Sequence, residues 1–531
     1  MPNGPGHVGQ APAFAELATD AQDCHVHRAW PWRQRLSSAA GRRMLALWRR
    51  AGGDRHPFAV EAAVGWLQKQ NLRRGLPARE GGPPCCGTTA ALLPTLVELG
   101  QMNLVRPWCD WLLAQQLPDG GFPRSDASGG SAFNTAQAVA ALAVMAAEGE
   151  QSHIAALRRA GDYLAGRLMA DWIPGTGNMY QVRVAAELCC LPALATAARL
   201  LDIADWQDVV DRGAAHARRV VDWRLAQASL RLVPYVAEAW LALGQPALAA
   251  EAMRGAEALQ RRDGAVPATP AGRWGDHALL AHLAALWYRA GERERADRAL
   301  TRLARRQLPS GGWHETWGRG ERTCESAWVV NHFLDAAQWQ VRSAFAAGAA
   351  DLPLSIAADD GRFRAVERWM AAFEPDDKIA DVGCGSGRFL KMLGQRCPDR
   401  RWIGIDRSER LLSRLPAAVE ARRGGFLHLP AHDGEFAGAF AVESLEHALL
   451  PRQAIAELCR VVRPGGRLLI VDKHVRLQSL SLCQPWERWF SPEDVIAWLA
   501  PYCRDITVRA VAHGPNDRAG GLFLCWEARR R

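Results

Sequence analysis

The stretch Ile379-Ala380-Asp381-Val382-Gly383-Cys384-Gly385-Ser386-Gly387-Arg388-Phe389-Leu390 decides the fold of the C-terminal part of the chain. A short apolar strand runs into three alternating glycines and then into a helical pattern. Glycine lets the backbone come against a ligand where a Cβ would collide, and the free amides at a helix start attract polar or anionic groups. About twenty residues on, Arg401-Trp402-Ile403-Gly404-Ile405 reads as a second strand ending in Asp406, where a carboxylate accepts both hydroxyls of a ribose. Together these pieces describe a nucleotide cradle in an α/β unit.

Spaced glycines alone say little, because dinucleotide enzymes share the geometry. The segments downstream are more specific. Val442-Glu443-Ser444-Leu445-Glu446-His447 has the form of a fourth-strand end, and Arg460-Val461-Val462-Arg463-Pro464-Gly465-Gly466-Arg467-Leu468-Leu469-Ile470 that of a turn into a fifth strand. From Asp381 to its C-terminus the chain resembles the class I methyltransferases that use S-adenosylmethionine. The resemblance implies that Asp381, Gly383, Cys384, Gly385 and Gly387 shape the cofactor cradle, with Asp406 and Arg407 at the ribose. It also implies a Rossmann-like, mostly parallel seven-stranded sheet closed by an antiparallel hairpin. Strands are expected near Lys378 to Val382, Arg401 to Ile405, Gly425 to Leu429, Ala437 to Glu443, Arg467 to Asp472, Asp505 to Ala512 and Gly520 to Trp526. The family's acid at the end of the third strand has no counterpart at Gly424-Gly425-Phe426, and Asp433 is offset. Adenine recognition is therefore expected to rest on backbone amides and apolar packing.

Glu443, Glu446 and His447 follow the fourth strand, where a methyl group would be delivered. Transfer from a sulfonium is an in-line displacement, so the protein must align the acceptor and, for a hydroxyl, hold its proton. His447 is the candidate base, and the alternative is a histidine that only braces the loop. The spacing Glu443-x-x-Glu446-His447 with His474 is also similar to the metal site of small-RNA terminal 2′-O-methyltransferases and some quinone O-methyltransferases. That would imply a divalent ion on the acceptor oxygens, with two carboxylates and two imidazoles suiting Mn²⁺ or Fe²⁺ better than Mg²⁺, as the alternative to a metal-free site. Trp486 and Trp489 in Pro485-Trp486-Glu487-Arg488-Trp489-Phe490 read equally as substrate-facing or core.

The N-terminal part is a repeat. Gln116-Leu117-Pro118-Asp119-Gly120-Gly121-Phe122 returns as Gln307-Leu308-Pro309-Ser310-Gly311-Gly312-Trp313 and, more faintly, as Gln260-Arg261-Arg262-Asp263-Gly264-Ala265-Val266. The period is about 47 residues, which marks a repeated supersecondary unit. After each turn comes a helix apolar on nearly all sides and so buried: Thr88 to Gly100, Asn134 to Gly149, Tyr180 to Leu201, Leu232 to Gly244, Asp276 to Gly291 and Cys324 to Gln338. The helices before the turns, such as Ile154 to Met169, carry charge on one face. Six such pairs predict an all-α (α/α)6 toroid, with an open superhelical stack as the rival.

The glutamine, glycine-glycine, aromatic turn resembles the repeat of squalene and terpene cyclases and of protein prenyltransferase β-subunits. The cyclases' Asp-x-Asp-Asp motif is missing, and Cys324 with His332 makes a poor match to the transferases' zinc set, so their chemistry does not follow from the shape. A pocket at the starts of the buried helices would draw on Asp126, Asn134, Gln137, Tyr180, Arg183, Trp274, Asp276, His277, His314, Glu315 and Glu325. Among these Asp126, His277 and Glu325 are acid and base candidates, while capping alone accounts for Asn134 and Asp276.

A chain of 531 residues, 49% of them hydrophobic, supports more than one core. The expected division is a basic N-terminal extension over 1–55, the toroid over 56–340, a linker over 341–358 and the methyltransferase domain over 359–531. No uninterrupted apolar run approaches the roughly twenty residues of a membrane span, and no signal-peptide core opens the chain, so a cytoplasmic protein is expected. Trp30 to Arg50, with its tryptophans and arginines, reads as an N-terminal helix packed on its own domain, with weak peripheral membrane contact as the alternative. Thirteen cysteines in no metal-binding spacing read as reduced thiols. The net charge of +9 is scattered and almost wholly arginine, lysine standing only at 69, 378, 391 and 473, which suggests a bacterial GC-rich genome and no nucleic-acid partner. The expected partner is a small-molecule or glycan-like acceptor that the toroid binds or modifies. Alternatively the toroid is itself a cyclase or carbohydrate-active enzyme, or a noncatalytic docking module.

Overall fold

The computed structural model describes residues 56–124, 129–147, 151–170, 178–221, 230–269, 272–318, 324–348, 353–477, 484–512 and 522–531. The N-terminal extension with Trp30 to Arg50, and Asp126, lie outside them. Two compact units divide the chain, a helical one ending at Gly348 and a mixed one following it.

In the helical unit, helices His56–Leu67, Met102–Leu113, Gln151–Ala170, Ala204–Val220, Pro246–Leu259 and Arg293–Arg306 precede the turns, and Cys86–Glu98, Ala132–Ala146, Asn178–Leu188 with Leu191–Leu201, Val233–Ala242, His277–Ala290 and Ala327–Gly348 follow them. The two sets differ as their composition requires. His277–Ala290 buries residues all round its axis, whereas Arg293–Arg306 buries the stripe Ala296, Ala299, Leu300, Arg302 and Leu303 and leaves its arginine-rich face to solvent. Two expectations change. The helix expected over Tyr180 to Leu201 breaks at Cys189-Cys190, where Pro192 starts a new helix. By length and composition that stretch is apolar enough to cross a bilayer, yet 56% of its 18-residue apolar window is buried. The last helix also continues through the first residues of the expected linker, to Gly348.

The three copies of the turn fold alike. Leu117 N donates to Gly121 O and Gly120 N to Leu117 O; the same pair joins Arg261 with Ala265 and Gly264, and Leu308 with Gly312 and Gly311. Each turn's glutamine reaches the backbone of another repeat: Gln116 Nε2 donates to Ala156 O at 2.9 Å, Gln260 Nε2 to Arg295 O at 3.0 Å, and Gln307 Nε2 to Ala59 O at 2.8 Å. The first glycine position of the turn must be glycine. At Gly311, with φ +99°, a Cβ would collide with the carbonyl of Ala62. The final turn is thus seated on the first helix, and Trp66 Nε1 donates to the Glu325 carboxylate there. A short antiparallel pair, β1 (Gly275–Asp276) and β2 (Thr316–Trp317), joins the last two repeats.

The mixed unit holds β3 (Lys378–Val382), β4 (Arg401–Asp406), β5 (Glu420–Arg423), β6 (Phe436–Val442), β7 (Val462–Lys473), β8 (Cys503–Val511) and β9 (Phe523–Arg530). Their order is β5-β4-β3-β6-β7-β9-β8, parallel except for β9, which runs against both neighbours. Helices pack over a core that includes Phe363, Trp369, Ile379, Leu390, Phe440 and Leu469. The chain leaves β3 toward β4 on one side and returns through β6 on the other, so the crevice beyond the carboxyl ends of β3 and β6 is the switch point where such sheets bind ligands. The third strand falls at Glu420–Arg423 rather than over Gly425 to Leu429. This edge strand is charged and exposed and carries no apolar alternation. The apolar run after it forms a tight turn, with Gly425 bridged to His428.

Candidate active site at the carboxyl edge of the sheet

β3 ends just before Gly383, and Gly383, Gly385 and Gly387 have φ of +77°, +56° and +78° before helix Arg388–Arg396 begins. Two of them are also enclosed. A Cβ on Gly383 would stand 2.5 Å from Ser444 Cβ and 3.1 Å from the Phe426 ring, and one on Gly387 would strike Leu415. The amides of Gly383 and Cys384 donate to Ile405 O at 2.8 and 3.2 Å, so they hold the cradle's shape. Cys384 is buried and burial pushes its thiol well up, which leaves it an inert wall. Asp406 accepts from Gly385 N at 3.0 Å on one oxygen and from Ser408 N at 2.8 Å on the other. Each oxygen keeps a lone pair for a ribose hydroxyl. Burial raises this carboxyl, and the amides of Ser408 and Gly385 oppose that. Asp381 is buried with Oδ2 lacking a partner among the described residues, and burial lifts its carboxyl well above the usual range. Arg407 lies along Gly425, beside the cradle. Asp433, the offset acid, is exposed and pairs with Arg460 at 2.9 Å. Phe426 supplies the apolar wall instead.

The residues after β6 part into two groups. Glu443, at φ +50°, lies against Arg362 and is 3.3 Å from Arg388 Nη2. Arg362 in turn grips Asp360 with contacts of 3.0 and 2.6 Å. Glu443 is therefore a buttress for the strand end. Glu446 and His447 form the second group, on the short 3-10 turn Leu445–His447. Glu446 is 1% exposed; its Oε1 is 2.9 Å from Lys473 Nζ and 3.5 Å from His447 Nε2, while Oε2 lacks a partner among the described residues. Burial, then Asp472 and Glu487, raise Glu446 well above its ordinary value. Burial, then Lys473, lower His447 to about 3.

Lys473, Asp472 and Glu487 complete this group, and no motif in the sequence singles them out. Glu487 is 3.5 Å from Lys473 Nζ and accepts from Trp489 Nε1 at 3.0 Å. Lys473 Nζ also sits 5.4 Å over the Trp489 ring. Burial works against the Lys473 charge, but Glu446 and Glu487 outweigh it and raise its pKa. The available signal was compositional: a rare lysine in an arginine chain, at the end of the fifth strand. Trp489 and Phe490 are buried and belong to the core.

The metal set Glu443, Glu446, His447 and His474 does not assemble. Among the described residues, the ligand atoms that come within 4.8 Å of one another belong to Glu446, His447 and Glu487. Glu443 is held by its two arginines, and His474 pairs along the backbone with Phe490. An ammonium already stands between the two carboxylates, so a metal ion would have to displace Lys473.

In the helical unit, Asp276 caps helix His277–Ala290, accepting from Ala278 N at 2.8 Å and Leu279 N at 3.2 Å, and pairs with Arg231 at 2.9 Å. The β1–β2 pair brings His277 beside Glu315 and His314, with His277 Nδ1 2.8 Å from His314 O. Burial lowers His277 to about 4. Glu325 accepts from Ser310 Oγ at 2.6 Å, and its neighbour contacts close the last turn. Asn134 Nδ2 donates to Pro123 O at 2.9 Å in its own repeat. Trp274 leads into β1, and Tyr180 meets His216 at 2.9 Å with Arg183 over its ring. Asp276, His277 and Glu315 thus share one edge, but they and Glu325 are engaged in caps and turns, and Asn134 is not among them.

Residues 380–470 match the family model of a methyltransferase domain. The chain is 36% identical over 105 residues to the O-methyltransferase cnsE of Penicillium expansum, covering 18% of this chain and 38% of that protein. It is 33% identical over 121 residues to 2-phytyl-1,4-naphtoquinone methyltransferase of Synechococcus elongatus, covering 21% and 52%. Among solved structures, a putative methyltransferase bound to the Trm112 activator of Haloferax volcanii aligns at 18% identity with a TM-score of 0.30, over 36% of this chain and 97% of that one. The chain spans about half or less of the curated relatives named here.

Proposed function

We propose that the C-terminal methyltransferase domain uses S-adenosylmethionine to methylate a small molecule whose attacking atom bears an acidic proton. The observation that carries the reading is the pairing of an enclosed glycine cradle with Asp406 at the switch point of the sheet. Asp406 would hold the ribose, Phe426 the flat face of the base, and the glycines the space for the chain between them. When bound, the cofactor supplies an electrophilic methyl group. The protein's part is to desolvate the acceptor, align it and take up its proton. His447, held at about 3, is neutral at physiological pH and accepts a hydrogen bond, but it is a weak base. That favours a phenolic or enolic oxygen, or an acidified carbon, over the hydroxyl of a glycan.

We read the helical unit as an (α/α)6 toroid that binds or modifies the acceptor. Supporting this, the last turn is seated on the first helix through Gln307 and Ala59, and Arg79 reaches Glu315 at 2.7 Å. Such contacts between the first and final repeats suit a closed ring better than an open stack. Calorimetry with S-adenosylhomocysteine tests the methyl-transfer reading. Two charge-assisted hydrogen bonds are worth roughly 1.5–3 kcal/mol each, so Asp406→Ala is expected to weaken binding at least tenfold, and equal affinities would overturn the ribose assignment.

A further inference from the structure

Two cysteines distant in sequence meet in the mixed unit. Cys459 Sγ and Cys503 Sγ lie 3.6 Å apart although 44 residues separate them, and both side chains are buried. Each arrives on its own element. Helix Pro451–Val461 turns Ala454, Ile455, Leu458 and Cys459 inward. β8 begins at Cys503, which stands opposite Arg530 of β9. The helix and the edge strand of the sheet are therefore in contact through two sulfurs.

The pair is not symmetric. Arg530 Nη1 donates to Tyr502 O at 3.2 Å and Arg531 Nε to Cys503 O at 3.0 Å, which brings two guanidinium groups to the Cys503 end. The contact with Cys459 lowers the Cys503 thiol, burial opposes that, and Arg530 and Arg531 lower it further. The same contact, then burial, raises Cys459. Cys503 is thus the sulfur that ionises first, and Cys459 is the thiol that donates to it. The sulfurs of a disulfide stand about 2.05 Å apart, so closure needs a movement of roughly 1.5 Å, which rotation of the two side chains shares.

We propose that Cys459 and Cys503 form an oxidation site, which a peroxide converts to a disulfide that clasps helix Pro451–Val461 to the start of β8. In the first step the Cys503 thiolate attacks one oxygen of hydrogen peroxide, the O–O bond breaks and hydroxide departs, leaving a sulfenic acid on Cys503. In the second, Cys459 gives its proton to that hydroxide and attacks the Cys503 sulfur; the S–S bond forms, the S–O bond breaks, and the second hydroxide takes up the proton that Cys503 had released. The two thiols lose two electrons, the peroxide gains them, and two waters result. Arg504 and Asp505, which follow Cys503 on this edge strand, are exposed, so local opening there lets an oxidant the size of water reach the sulfur. The clasp matters for what the helix carries. Gln453 Nε2 donates to Leu427 O at 3.1 Å and Leu429 N to Glu457 Oε2 at 3.0 Å, so the bond braces the support of the turn after β5. The inference is independent of what the methyltransferase domain binds or acts on.

The test treats the full-length protein with hydrogen peroxide, unfolds it in N-ethylmaleimide and maps its tryptic peptides by mass spectrometry. Expected is a peptide pair joined through Cys459 and Cys503, two hydrogens lighter than the free peptides, which dithiothreitol separates. In Cys459→Ser the sulfenic acid has no thiol to meet, so dimedone should label Cys503; in Cys503→Ser it should leave Cys459 unlabelled. In the oxidised wild type, hydrogen exchange in helix Pro451–Val461 should slow roughly tenfold or more. Both cysteines found alkylated after oxidation, dimedone on Cys459 in place of Cys503, or exchange in the helix unchanged by the bond would each overturn the proposal. Should a serine variant melt prematurely by circular dichroism, the wild-type peptide map and exchange decide by themselves.

Discussion

Replacing Lys473 by methionine keeps the length of the side chain and removes the only cation between Glu446 and Glu487 among the described residues. Glu446 is 1% exposed and Lys473 17%, so solvent does little to screen the pair, which stands 2.9 Å apart. Leaving one partner of a buried pair uncompensated costs ~3–5 kcal/mol while the carboxylates stay charged. Losing the contact with the Trp489 ring costs a further ~0.5–1 kcal/mol at any pH. The charged cost depends on pH, because a buried carboxyl can escape it by taking a proton. Glu446 already has a raised folded value, so its contribution to stability is fully present below the unfolded carboxyl value and is lost as pH rises through the folded one. Removing the lysine lifts that folded value further. Lys473→Met should therefore cost about 1 kcal/mol near pH 5 and roughly 3.5–6 kcal/mol near pH 8. Hydrogen exchange read on peptides from β6 and β7, corrected for intrinsic rates, isolates this unit from the helical one. At pH 8 protection should fall by roughly two and a half to four powers of ten at about 1.4 kcal/mol each. A loss equal at the two pH values, or no loss at β7, would refute the reasoning.

Gly387→Ala places a methyl against Leu415 at a positive φ; strain of ~1–2 kcal/mol at the cradle should weaken S-adenosylhomocysteine binding by calorimetry roughly five- to thirty-fold while the melting of the helical unit is unchanged. Gly311→Ala sets a Cβ against Ala62 O, and overpacking of ~1–3 kcal/mol should appear as faster hydrogen exchange in helix His56–Leu67 and not in Gln151–Ala170. Because His447 is held at about 3, methyl transfer between pH 5.5 and 8 should show no imidazole inflection; one near the ordinary histidine value that disappears in His447→Gln would contradict the site as described.

Legibility in the sequence tracked the strength of local constraint. The cradle was readable because its glycines serve one backbone path, and Asp406 because the next strand fixes its distance. β3, β4, β6 and β7 carried continuous apolar runs, whereas β5 is a charged edge strand and its apolar neighbour mimicked it. Glu446 and His447 could be found from the strand end, but their partners arrive from elsewhere in the chain: Lys473 from the next strand and Glu487 from a later loop. Glu443 misled because its carboxylate is shared with Arg362, which precedes the sheet. In the helical unit the repeat gave the turns and helix pairs, while His282 and His332 were hidden inside helices whose apolar character is their dominant signal. The two histidines stack only because helices His277–Ala290 and Ala327–Gly348 lie side by side.

The bond between Arg362 and Glu443 fixes where this domain can be cut. The match to the methyltransferase family model begins at residue 380, yet helix Gly361–Met370 and the Asp360–Arg362 clasp at its start hold the end of β6 from outside that region. A dissected domain trimmed to the recognisable segment would carry an unbraced Glu443 at a left-handed position and an uncovered sheet face. Any independently expressed version has to begin ahead of Asp360.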